Sequence, residues 1–123
     1  MKISVNMGEF YDKLTILMIK FNLCTNPNQV MSVWKEIEAM SQERQPFEPR
    51  EGLSFLVLEL RNINQQLWQL EEEVREERSD LMRLKMSDDI RELNKWRSEV
   101  KAKISHLFGD SIEVKDYATG KGE

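Results

Sequence analysis

The sequence predicts an all-α fold, a small helical bundle built on one long antiparallel hairpin, and three observations carry that reading. Leu53, Leu56, Leu60, Ile63, Leu67, Leu70 and Val74 recur at alternating three- and four-residue steps, the seam of a helix packed lengthwise on another. A second seam follows as Met82, Met86, Leu93, Val100, Ile104 and Leu107, with Asp89 and Arg97 at positions the same pattern would make apolar. The chain has only three prolines and five glycines, and they cluster where the periodicity fails.

The elements follow in order. Lys2 to Asn6 alternates, with Ile3 and Val5 on one side, as a short strand does. Helix one is expected from Gly8 to Leu23, with Phe10, Leu14, Leu17, Met18 and Phe21 on a broad apolar face. Glu9, Lys13, Ile16 and Lys20 form a line at its edge, and Ile19 and Leu23 lie beyond that line, so the helix is expected to be buried on both sides. In Thr25-Asn26-Pro27, Asn26 can cap helix two and Pro27 can take its first position. Val30, Val33, Trp34, Ile37 and Met40 give helix two one apolar face, and Gln45-Pro46-Phe47-Glu48-Pro49 ends it.

No glycine or proline separates the two long seams, so the turn is placed near Arg78-Ser79 or near Met86-Ser87; Ser79 is favoured for its capping hydroxyl. An unbroken helix from Leu53 to Phe108 would be roughly 80 Å long and would demand a partner along its length. Residues 71–80 hold six acids against Arg75 and Arg78, whereas residues 91–103 hold five bases against Glu92 and Glu99, and a hairpin is expected to set these stretches opposite each other. Gly109 can stop the last helix with a left-handed cap. Beyond it Ile112 and Val114 alternate and can pair with the Lys2 to Asn6 strand, which makes residues 1–118 a single domain and leaves 119–123 as a frayed tail.

Composition narrows the function. Charged residues make up 33% of the 123-residue chain, yet the formal net charge is only −4, a mixed surface without the basic face that nucleic acid requires. The acids of residues 71–80 are also expected to neutralise the basic segment from Arg91 to Lys103. The single cysteine, Cys24, has no internal partner and suits a reduced, cytoplasmic setting. Glu9 and Asp12 precede the apolar run of helix one and Lys20 cuts it short, so neither a signal peptide nor a membrane span is expected. His106 is alone, no phosphate-cradling glycine loop occurs, and no cofactor or metal is expected. Glu73-x-x-Glu76 and Glu77-x-x-Asp80 have the spacing with which carboxylates share a magnesium ion, but Arg75 and Arg78 are interleaved, as on a solvated charged face.

The polar residues beside core are the candidates for a site. Asn64, Trp68, Glu71 and Arg75 line up beside the first seam; Asn94, Arg97 and Lys101 line up along the second. An arginine buried without a carboxylate would be strongly unfavourable, so Arg97 should meet Glu9, Asp12, Glu71 or Glu72. One outcome is an internal ion network that fixes packing. The other is a polar cleft of Glu9, Asp12, Lys13, Lys20, Asn64, Trp68, Glu71, Asn94, Arg97 and Lys101. In it Arg97, Lys101 and Lys13 would hold a phosphate or carboxylate, Trp68 would form a flat wall, and Glu9 or Glu71 would do acid/base work.

The stretches GEFYDKLTILMIK, NINQQLWQLEEEVR and LNKWRSEVKAKI together resemble a family of small proteins of bacteria and some of their phages, classed as a domain of unknown function. The matching positions are Gly8, Glu9, Asp12, Lys13, Thr15 and Lys20, then Asn64, Leu67, Trp68 and Glu71, then Asn94, Arg97 and Lys101. Where that family tends to carry a glutamate, this chain has Met18. The resemblance implies a shared polar site and no particular reaction. The function expected first is a non-enzymatic, cytoplasmic interaction module, bacterial or phage-encoded, that forms a homodimer and acts on a host or cellular protein. A small ligand-binding protein or enzyme using the polar cleft is the alternative.

Overall fold

The computed structural model describes residues 6–43 and 50–109, and these form four helices: α1 (Met7–Leu23), α2 (Pro27–Glu43), α3 (Leu53–Glu76) and α4 (Asp80–Leu107). The expected all-α bundle is what they build. The terminal ribbon, which would pair Lys2 to Asn6 with Ile112 and Val114, lies outside the described residues apart from Asn6. That residue caps α1, its side-chain oxygen accepting from the Glu9 N–H at 3.0 Å.

The α3–α4 hairpin is the frame. It turns at 77–79, as Ser79 suggested, and Ser79 Oγ accepts from the Met82 N–H at 3.3 Å. Ser79→Ala is expected to cost about 1 kcal/mol in a urea melt, the usual worth of an N-cap hydroxyl. At the far end α4 stops at Gly109, whose φ of +70° is the left-handed conformation that glycine adopts without strain. Leu60, Ile63, Val100 and Ile104 are fully buried between the hairpin and α1.

α1 runs antiparallel to α4 along the mouth of this frame, and α2 packs back on α1 alone. The short link through Asn26, whose side chain accepts from the Asn28 N–H, forces that reversal. α1 is therefore the middle layer, buried on both sides as its wheel predicted. Phe21 meets Trp34 of α2 at 6.0 Å between ring centroids, while Tyr11 stacks on Phe108 from the far side.

Two expectations are corrected here. The apolar face of α1 is rotated from the one predicted: Met18 is 43% exposed, whereas Ile19, Asp12 and Thr15 are buried. Coverage by two layers widens the buried arc, and the second layer selects polar residues that a single apolar stripe leaves out. The charge pairing also fails within the chain. Trp96 Nε1 donates to Glu59 Oε2 at 2.7 Å, so residues 91–103 run beside the N-terminal half of α3, and the acidic stretch 71–80 lies at the turn against the start of α4. Net charge sets no register; the position of the turn does. Asp89, expected to interrupt the second seam, is exposed, and Met82 at the start of that seam is 43% exposed. No helix among the described residues is long and apolar enough to cross a membrane.

Candidate functional site

Polar residues from three helices, α1, α3 and α4, meet at Asp12. It lies in the second turn of α1, where the helix faces the groove between α3 and α4, and it is only 4% exposed. Arg97 of α4 grips the carboxylate with two parallel bonds, Nε to Oδ1 at 2.9 Å and Nη2 to Oδ2 at 2.6 Å. This fork geometry is what guanidinium offers and an ammonium does not. From α3, Asn64 Nδ2 donates to Asp12 Oδ1 at 3.0 Å and to Thr15 Oγ1 at 2.9 Å, while Thr15 Oγ1 itself donates to the Asp12 carbonyl at 2.8 Å. Lys101, one turn beyond Arg97, sits 3.8 Å from Asp12 Oδ2 and 3.0 Å from Glu9 Oε2. Asn94 accepts from Arg97 Nη1 at 3.3 Å and holds the other edge of the guanidinium.

The electrostatics follow from this geometry. Burial pushes the Asp12 carboxyl up, but hydrogen bonds from Arg97 and Asn64 and the charges of Arg97 and Lys101 outweigh it, so the group is held below its ordinary value. The hydrogen bond to Asp12 raises Arg97 against the opposing effect of burial, and the charges of Asp12, Glu9 and Glu71 add to it. Asp12 is a carboxylate and Arg97 a guanidinium at any physiological pH.

Of the ten residues expected to share a cleft, the structure brings Glu9, Asp12, Asn64, Asn94, Arg97 and Lys101 together, with Glu71 close enough to act on Arg97 through its charge. Lys13, Lys20 and Trp68 are elsewhere. Lys13 and Lys20 are exposed and line the α1–α2 side, and Trp68 lines two clefts beside Leu23. The wheel placed these three near core but could not say which of the two layers each one faced. An anion entering the Asp12 cluster would compete with that carboxylate, which already holds the Nε and Nη2 edge of the guanidinium while Asn94 holds Nη1. Among the described residues no three His, Cys, Asp or Glu side chains converge as metal ligands.

Sequence reasoning missed a second junction one turn away. The Gly8 N–H donates to Ser105 Oγ at 2.9 Å, and Ser105 Oγ donates to Asn6 Oδ1 at 2.9 Å, so an otherwise orphaned amide at the start of α1 is satisfied across the helix crossing. A β-carbon on Gly8 would fall inside van der Waals contact of the Lys101 carbonyl oxygen and 2.7 Å from Ser105 Oγ. The available signal was a glycine at the first position of an expected helix, where alanine is the better helix former.

No family model, curated protein or solved structure matches the chain.

Proposed function

We propose that this chain is a non-enzymatic helical interaction module, cytoplasmic and of bacterial or phage origin, that pairs with a second copy of itself and presents helical faces to a host or cellular protein. The observation that carries the reading is the apolar surface that α1 and α2 leave uncovered on the hairpin. Phe55 and Leu58 near one end of α3 are 79% and 60% exposed, and Leu81 and Leu84 at the turn end of α4 are 75% and 62% exposed. Isolated exposed leucines are ordinary, but paired large apolar side chains on a helical hairpin that has no covering layer there mark a contact surface.

The two pairs sit at opposite ends of the hairpin. Two copies packed antiparallel set Phe55 and Leu58 of each against Leu81 and Leu84 of the other, the self-complementary arrangement that a two-fold axis requires. The polar cluster at Asp12 then serves as the register pin of the scaffold.

Sedimentation of the full chain tests this. A mass twice the 14.6 kDa of one chain is expected, falling to a single chain in Phe55→Glu/Leu84→Glu without loss of helicity. A wild-type protein that sediments as one chain at about 100 μM would remove the self-association, since even a weak micromolar dimer is populated there.

A further inference from the structure

The surface on the α1–α3 side carries a more specific message. Trp68 of α3 and Leu23 of α1 line two adjoining clefts. The larger, about 720 Å³, has Ile19, Leu23 and Trp68 as an apolar floor, and Glu72, Glu73 and Glu76 along one wall. It follows α3 from Gln65 to Glu76, roughly 16 Å or three turns of helix at about 1.5 Å per residue.

The acidic wall is electrostatically ill-placed for the free protein. It occupies the last turns of α3, where the helix dipole is negative and favours cations. Glu72 and Glu76 repel at four-residue spacing, as do Glu73 and Glu77. Arg75 is paired with Glu72 at 2.6 Å, and the Glu77 carboxylate accepts from the Ser79 N–H at 3.1 Å. Glu73 and Glu76 have neither an ion pair nor a hydrogen bond among the described residues. A surface that sets the unpaired carboxylates of Glu73 and Glu76 beside a half-buried aromatic ring is complementary to a ligand that is apolar on one face and cationic on the other.

We propose that this groove docks a basic amphipathic helix of a partner protein, its apolar side chains on Trp68 and Leu23 and its lysines or arginines against Glu73 and Glu76. The inference rests on the reading of the chain as an interaction module and names the chemistry of its partner. Helix-in-groove recognition reads apolar anchors at i, i+3, i+4 and i+7, which fits a site three turns long.

The test uses Trp68 as its own reporter. In the full chain carrying Trp34→Phe and Trp96→Phe, Trp68 emission is followed on titration with a 14-residue leucine–lysine peptide whose leucines form one helical face. A blue shift saturating at one peptide per chain is expected. A peptide of the same composition in scrambled order should bind at least tenfold more weakly, and a leucine–glutamate counterpart should not bind. Glu73→Gln/Glu76→Gln leaves the Arg75–Glu72 pair in place; it is expected to raise the melting temperature of the free protein while weakening the ordered peptide at least tenfold. A groove that merely supports the fold would not give that opposite pair of effects. Equal binding of ordered and scrambled peptides, or unchanged binding by the double variant, overturns the proposal. Sedimentation of the same variant separates this failure from that of self-association, because Glu73→Gln/Glu76→Gln leaves Phe55, Leu58, Leu81 and Leu84 untouched.

Discussion

Gly8→Ala is expected to destabilise the fold by about 3 kcal/mol, even though alanine is the better helix former. Two effects compete. In a helix interior the substitution normally gains up to about 1 kcal/mol, because alanine restricts the unfolded chain and glycine does not. Against it stands the overpacking of a close helix crossing, which typically costs about 1–3 kcal/mol and more when backbone must move. The nearest atom to the added methyl is the Lys101 carbonyl oxygen, main chain within α4, so no rotamer change relieves the contact. Separating α1 from α4 far enough would lengthen the Gly8–Ser105 bond and loosen the Arg97 fork one turn along. The crossing therefore decides the sign. Urea denaturation of Gly8→Ala checks it, and Gly8→Ala/Ser105→Ala sharpens the check: removing Oγ relieves only the lesser of the two clashes, so the double variant should recover little. A stabilised Gly8→Ala would mean that the helices do not approach this closely.

The hairpin was legible because a long helix packed on another must repeat its apolar residues near every three and four positions, and the seams from Leu53 to Val74 and from Met82 to Leu107 do so. Its turn was legible, against the alternative near Met86-Ser87, because Ser79 offers a capping hydroxyl. The need of Arg97 for an acid was readable from its place in a seam, and Asp12 was one of four acids named. What the sequence could not supply was the choice among them. That choice depends on Asn64 arriving from a third helix and on a glycine eight residues into the chain that lets α1 approach α4 closely enough for the fork to close. Lys13, Lys20 and Trp68 were misplaced for a related reason: a wheel gives the angle of a residue around its own axis but not the identity of the neighbour at that angle. Thr15 and Ser105 escaped the candidate site because small hydroxyl residues in a helix look neutral until the groups they satisfy are known.

Arg97→Ala should be about as costly, near 3 kcal/mol at about pH 7, the range found when one partner of a buried ion pair is removed and the other is left behind. The expected cost is lopsided because burial is lopsided: the Arg97 side chain is 28% exposed and that of Asp12 only 6%. Asp12 would keep the Asn64 amide and Lys101 at 3.8 Å, too little to hold a desolvated carboxylate. Arg97→Lys should recover only part of the loss, since one ammonium cannot occupy both carboxylate oxygens in a plane. The pH dependence gives the discriminating signature. In the wild type the folded Asp12 carboxyl lies below its unfolded value of 3.8, so its stabilisation is complete above that value and is lost as the pH falls through the folded one. Without Arg97 the largest remaining influence is burial, which favours the protonated acid, so the variant's deficit shrinks as Asp12 takes up its proton. Stability curves for wild type and Arg97→Ala, measured by urea melts from about pH 7 down to about pH 3, should therefore converge on the acid side. Parallel curves would show that the arginine contributes packing through its alkyl stem, with the charge pair making no measurable difference.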